Sequence, residues 1–184
     1  MKKINNIKNL HLGCGKRNIP GFTNVDNANY KHIHYKKDVR SLSFIESNSV
    51  EYIYASHVLE YFDFEESIIV LKEWKRVMKK KAKIRISVPN FESLLKIYNK
   101  TQNIDKIIGP LFGKMKSNNK FIYHKCVFSE KKLFSILKKL NFNNIKLYNL
   151  DSTFHSNYDD HSNAFYPHMN NKGIKVSINV EASK

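Results

Sequence analysis

Gly13-Cys14-Gly15 follows a short apolar run, and ten residues separate Gly15 from Asp26. A glycine loop lets backbone come close to a ligand with no Cβ in the way. An acid closing the next strand can accept hydrogen bonds from both hydroxyls of a ribose. Alone, the Gly-x-Gly pair describes a tight strand exit equally well. More groups arrive in order. Asp38 ends a third apolar run, where an acid can hold an adenine amino group. Ser56-His57 ends a fourth, and Glu73, Arg76 and Val77 lie on the helix after it.

Bases are the second kind of candidate. His57, His124, His161 and His168, with Asp159 and Asp160, could each accept a proton, since imidazole titrates near neutrality. Each could equally be a surface or hydrogen-bonded residue. Asp159-Asp160-His161 could be read as a metal site, but a divalent ion needs several convergent ligands, and loop hydrogen bonding is preferred. His32 and His34 share a strand face, yet two ligands are not a site. No metal is expected. Cys14 reads as a small packed residue rather than a nucleophile.

These residues need elements to position them. Lys8 to Leu12 reads as a buried strand. Phe22 to Asp26 is a second, after the Pro20-Gly21 turn signal. Ile33 to Tyr35 is a third and Val50 to Ala55 a fourth. Glu65 to Met78 is an amphipathic helix, with Ile68, Leu71, Trp74, Val77 and Met78 on one broad face. Ala82 to Val88 is a fifth strand, stopped by Pro89. Helical patterns follow near Glu92–Lys100 and Glu130–Leu140, the second with Ser129 as N-cap. Asn144–Leu150 and Lys175–Val180 close the chain. The alternation argues an α/β domain with a mostly parallel central sheet and helices on both faces. Every motif falls at the carboxyl end of a strand, where such sheets hold ligands. The polar stretch Asp151–Asn171 is long for a structureless loop and is a candidate for function or for unrecognised elements.

Composition sets the bounds. The 184 residues suit one domain, with a cofactor half at about 1–90 and acceptor-side segments at about 91–172. The net charge of +16 would suggest nucleic acid, but only Arg17, Arg40, Arg76 and Arg85 are arginine. Nucleic-acid readers favour arginine for bidentate contacts and stacking, so nucleic acid is discounted as a partner. An acidic or phosphorylated small substrate fits the charge equally well. Two cysteines make no disulfide framework. No signal peptide follows Met1-Lys2-Lys3, no apolar run is long enough to span a membrane, and a cytoplasmic location is expected.

The combination LHLGCGKRNIPGFTNVD, KDVRSL, YASHVLEYF, LKEWKRVMKKKAKIRISVPNFESL and VSINVEASK resembles class I S-adenosylmethionine-dependent methyltransferases. More narrowly, it is similar to a small bacterial branch with a Pro-Gly-aromatic-x-Asn-Val-Asp second motif. The resemblance covers nearly the whole chain. It implies a Rossmann-like fold with an antiparallel C-terminal strand, and S-adenosyl-L-methionine as cofactor. It places Gly13, Cys14 and Gly15 against the amino-acid part of the cofactor and Asp26 on the ribose. Asp38 and Val39 would flank the adenine, and Ser56 and His57 would close the pocket. The segment holding His124 would lead into the acceptor side.

This chain departs from that pattern in three places. Arg17 stands at the usual third glycine. The short gap to Asp26 leaves the first crossover helix very short or absent. That gap also disfavours a nicotinamide dinucleotide, whose acid lies about 20 residues on and whose pyrophosphate needs a helix N-terminus. Lys79-Lys80-Lys81 replaces a glycine turn before strand five.

The expected reaction is methyl transfer to a small or glycan-precursor acceptor, with His124 and His161 as base candidates. Relatives of this branch accompany surface-polysaccharide synthesis. The acceptor expected by analogy is an oxygen on a sugar, a nucleotide-sugar or a phosphorylated or phosphoramidate precursor. Amino acceptors rank low, because Ala55-Ser56-His57-Val58 stands where such enzymes often carry Asn-Pro-Pro-aromatic. An RNA or protein methyltransferase and a non-catalytic cofactor-fold subunit are the alternatives, and a homodimer stays open.

Overall fold

A computed structural model describes residues 3–117, 120–158, 160–167 and 173–184. The elements run β1 (Ile7–Leu12), β2 (Thr23–Asp26), β3 (Tyr35–Lys36), β4 (Val50–Ser56), α1 (Phe64–Val77), β5 (Met78–Pro89), α2 (Phe91–Thr101) and α3 (Ile108–Phe112). The chain continues with β6 (Met115–Ser117), β7 (Lys120–Ile122), α4 (Glu130–Lys139), β8 (Asn143–Leu147), β9 (Phe165–Tyr166), β10 (Ile174–Lys175) and β11 (Ser177–Ser183). One seven-stranded sheet has the order β3-β2-β1-β4-β5-β11-β8. The first five of these strands pair in parallel. β11 is antiparallel to both β5 and β8. The fold is therefore the expected α/β one, with its antiparallel closing strand.

Strand alternation splits the sheet into two unlike faces. Leu10, Ile53, Ile84 and Ala182 form one apolar row across β1, β4, β5 and β11. This face packs with Val70, Leu71 and Trp74 of α1 and with Leu133 and Leu137 of α4 in the main core. The next residue along each strand gives the row His11, Tyr54, Arg85, Glu181, with Asn24 of β2 beside His11. Short 3-10 helices at Leu150–Ser152 and His161–Asn163 lie in the segment whose side chains meet this second face. Among the described residues, α1 and α4 pack on the first face, 3-10 turns meet the second, and α2 packs in a separate small cluster with Ile107.

No helix forms between β1 and β2, as the short gap requires. None forms between β3 and β4 either, and α1 holds that segment with polar side chains. Trp74 donates Nε1–H to Val39 O at 2.9 Å. Glu73 accepts from Leu42 N–H at 2.8 Å, and Arg76 donates to Leu42 O at 2.9 Å and Ile45 O at 3.2 Å. Helix α1 starts one residue earlier than its apolar period suggests. Asp63 and Glu66 close a capping box, each accepting the other's backbone N–H. Ser129 caps α4 as expected, accepting from Lys132 N–H at 3.1 Å. β5 begins directly at Met78, and Lys81 takes a φ of +66° where relatives are expected to place glycine.

Three boundaries shift for local reasons. β3 starts at Tyr35 rather than Ile33, because the His34 ring Nδ1 accepts the Asn24 N–H that a strand carbonyl would take. β8 ends at Leu147, where Asn149 instead caps a 3-10 turn by accepting from Asp151 N–H. Residues 174–175 pair with β9 rather than joining β11.

Candidate functional site

The loop after β1 shows how little freedom it has. Gly13 adopts φ +65°, and a Cβ there would collide with the Val58 side chain. Gly13 N–H also bonds Val25 O at 2.9 Å, which ties the loop to β2. Gly15 differs: nothing lies within 4 Å of where its Cβ would be, so that side of the loop is open. Asp26 reaches back from β2 and accepts Gly15 N–H at 2.8 Å on one oxygen and Ala28 N–H at 2.7 Å on the other. An ionised carboxylate offers about four lone-pair positions, so two acceptor positions remain for ligand hydroxyls. His32 donates Nε2–H to Gly15 O at 2.9 Å and fixes the loop from outside.

Cys14 between them is buried, and burial pushes its thiol up to about 12. A thiol so reluctant to ionise is a packing residue. Asp38 lies beyond β3 and accepts from Arg40 Nε at 2.9 Å and Arg40 N–H at 2.9 Å. Burial works against its charge, but the Arg40 bonds hold the carboxyl below its usual range. Val39 packs into the main core.

The end of β4 collects the remaining candidates. Ser56 donates to Asp160 Oδ1 at 2.6 Å. Tyr54 donates to the other Asp160 oxygen, and Ser162 N–H bonds Asp160 Oδ1 at 2.6 Å. Burial would raise this carboxyl; the bonds from Ser56, Tyr54 and Ser162 bring it below its usual value. Asp160 is therefore an ionised anchor that holds its 3-10 turn to β4, with three of about four acceptor positions in use. The Asp160 anchor brings His161 to His57, with ring centroids 5.5 Å apart. His161 is exposed. Asp159 and His168 lie outside the described residues.

The sequence did not single out Glu60, yet it links the two histidine regions. It is 1% exposed, with Oε1 3.1 Å from His57 Nδ1 and 3.7 Å from His124 Nε2. Neither contact is aligned as a hydrogen bond, and both carboxylate oxygens lack a donor among the described residues. His57 adopts φ +55° and places Nε2 2.9 Å from Ser177 Oγ on β11. His124 points Nδ1 at Pro110 O, 3.1 Å away, so that nitrogen must carry the hydrogen. The remaining nitrogen faces Glu60. Burial lowers the affinity of His124 for a second proton, against the pull of Glu60. The one sequence signal for Glu60 was its place three residues after His57, close enough for the 3-10 turn Leu59–Tyr61 to bring its carboxylate back to that ring.

No family model and no curated protein matches the sequence. Solved structures do. A methyltransferase of Thermotoga maritima, described as a possible histamine N-methyltransferase, matches 96% of this chain and 82% of its own, with 15% identity and a TM-score of 0.61. An S-adenosylmethionine-dependent methyltransferase of Methanosarcina mazei covers 98% and 93%, with 18% identity and a TM-score of 0.58. The 1,6-didemethyltoxoflavin N1-methyltransferase of Burkholderia thailandensis, solved with its substrate and S-adenosylhomocysteine, covers 98% and 72%, with 12% identity and a TM-score of 0.56. The fold of this chain is that of class I S-adenosylmethionine-dependent methyltransferases.

Proposed function

We propose that the chain transfers the methyl group of S-adenosylmethionine to an oxygen of a small acceptor. The acceptor class favoured is a sugar, nucleotide-sugar or phosphorylated or phosphoramidate precursor of a bacterial surface polysaccharide. One observation carries the cofactor reading. Asp26 closes onto Gly15 with two acceptor positions spare, beside a loop whose Gly15 side is open. A ribose fits the first and the methionine part of the cofactor the second. Asp38, held by Arg40, is the acid nearest in sequence to the adenine side of that reading. Ser56 and His57 wall the far side.

The bound cofactor supplies an electrophilic methyl on a sulfonium, which leaves as a neutral thioether and needs little help. Methylation of an acceptor hydroxyl would release that hydroxyl's proton, and the protein's part is to align the acceptor and exclude water. The hydroxyl proton must then go to a base. His161, exposed beside His57, is assigned that role. His124, whose side chain is 6% exposed, is kept as the second candidate acting through Glu60. Alignment in such a site is worth up to ~7–11 kcal/mol and a base ~10²–10⁴-fold.

Calorimetry with S-adenosylmethionine and S-adenosylhomocysteine tests the cofactor half. Asp26→Ala is expected to weaken binding by about 1.5–3 kcal/mol per lost bond, at least tenfold. Unchanged affinity would remove Asp26 from the site. Cell extract incubated with methyl-labelled cofactor then identifies the acceptor by mass spectrometry. His161→Ala should slow that transfer about a hundredfold. Normal rates in both His161→Ala and His124→Ala would discard both bases.

A further inference from the structure

The segment from Ile104 to Val127 departs from the rest of the surface. Of the fourteen large apolar side chains exposed among the described residues, seven fall here. Ile104, Ile108, Phe112, Met115, Phe121 and Tyr123 lead them, with Phe112 52% and Phe121 58% exposed. Random scatter along the chain would not concentrate half of them in one excursion between α2 and α4. The same segment carries Lys106, Lys114, Lys116, Lys120 and Lys125 against one acid, Asp105. Lys125 pairs with Glu66. No carboxylate among the described residues pairs with the other four lysines.

The local geometry mixes the two chemistries rather than separating them. β6 and β7 form an antiparallel hairpin with Lys116 opposite Phe121. Residues so opposed share a face. Lys114 Nζ lies 4.5 Å from the centroid of the Phe121 ring. One hairpin face thus presents an exposed ring with the Lys114 ammonium against it and Lys116 opposite it in the ladder. The exit of the hairpin is tied to α3 by His124 N–H on Phe112 O at 2.9 Å. Tyr61 donates to Gly113 O at 2.9 Å and ties the whole excursion to the loop after β4. The surface therefore borders the acceptor side of the candidate site.

What covers this surface must be both anionic and apolar. A second copy of the chain would set lysine against lysine, which is repulsive. A nucleic acid matches the charge and could stack on Phe112, Phe121 and Tyr123, but the segment has no arginine, and the exposed aliphatic groups of Ile104, Ile108 and Met115 would gain nothing from a phosphate backbone. An anionic bilayer matches both demands. Headgroup phosphates take the ammonium groups, and the boundary with the acyl chains takes phenylalanine and isoleucine. Lysine stems can lie along that boundary with their heads in the polar layer. We propose that the described residues of the 104–127 segment form a peripheral binding surface for anionic phospholipid bilayers, which, on the proposed function, seats the acceptor side of the site against the membrane.

The test pellets the full chain with phosphatidylcholine vesicles, either pure or containing about one third phosphatidylglycerol. Anionic vesicles should carry the protein down, and neutral ones should leave it in solution. Lys114→Gln, Lys116→Gln and Lys120→Gln should each weaken binding about fivefold, and together about a hundredfold. Phe121→Ser should weaken it about tenfold, through loss of buried ring area. A Phe121→Trp variant should shift its emission to the blue when anionic vesicles are added. All four sites are exposed, and circular dichroism checks that the variants stay folded. Three results would overturn the proposal: no difference between the two vesicle types, full binding by Phe121→Ser, or tighter binding to a single-stranded RNA oligonucleotide than to anionic vesicles. The vesicle binding itself does not depend on methyl transfer, whereas the seating of the acceptor side rests on the proposed function. Vesicle binding without cofactor binding would retain the surface and reject the enzyme.

Discussion

The two faces of the central sheet use the same strands and different chemistry. On one, Leu10, Ile53, Ile84 and Ala182 meet Trp74, Leu71 and Leu137 in a continuous apolar core. On the other, one residue along, lie Asn24, His11, Tyr54, Arg85 and Glu181. The first face is stabilised by area removed from water, roughly 25 cal/mol per Å². It is indifferent to pH. The second depends on partners. Arg85 pairs with Glu181 at 2.8 Å, Ser87 bonds Asn179 at 2.7 Å, and Asn179 holds Ser162 O at 2.9 Å. Asp160 completes the set. Such groups stabilise only while every member is satisfied and correctly charged. The difference teaches where this fold can be broken by acid and where only by a cavity.

The largest expected effect is acid sensitivity of the polar face. His11 and His155 are buried there, and burial pushes each down to about 4. Unfolded, each would bind a proton near the ordinary value of about 6.5. The folded form resists that proton, so stability is full above about 6.5 and falls as pH drops from there to about 4. The loss approaches ~3 kcal/mol per histidine. Urea unfolding between pH 7 and pH 4 measures it. A midpoint that does not move would sink this account, and His155→Phe should make the slope shallower.

Trp74→Ala attacks the apolar face. It empties the largest buried side chain and leaves Val39 O without its donor, at an expected cost of ~3–5 kcal/mol. That cost should be the same at pH 7 and pH 5, in contrast to the histidine effect. Tyr54→Phe is the smallest change. Asp160 keeps Ser56 and the Ser162 amide, so ~1–3 kcal/mol is expected from the one missing donor. A loss equal to that of Trp74→Ala would mean the two faces are not distinct in the way described.

Much of the architecture was readable from apolar spacing. The five parallel strands, α1 with its apolar face, and the Ser129 cap fell where periodicity put them, within a few residues. The loop Gly13–Gly15 and Asp26 were readable as a group because strand ends are where such sheets hold ligands. Other features were not. His34 shortened β3 by using its ring as a backbone acceptor, which no propensity anticipates. The described part of the 151–171 segment carried no period because it is built of 3-10 turns and a two-residue strand and held by single side chains, Asp160 above all, rather than by a repeating face. Glu60 went unnoticed because a glutamate in an apolar stretch says nothing about which histidines will surround it.

By itself the sequence determined which residues alternate, which period each run follows, and how short the gap from Gly15 to Asp26 is. Those are local properties, set by backbone geometry and by the reach of a few residues. Only the tertiary structure decided that Asp26 closes back on Gly15, that Asp160 is an anchor for Tyr54 and Ser56, and that His57 and His124 face one buried carboxylate. Such meetings join residues about a hundred positions apart in the case of Asp160 and Ser56. They depend on strand order and register, which are settled by burying the apolar face as a whole.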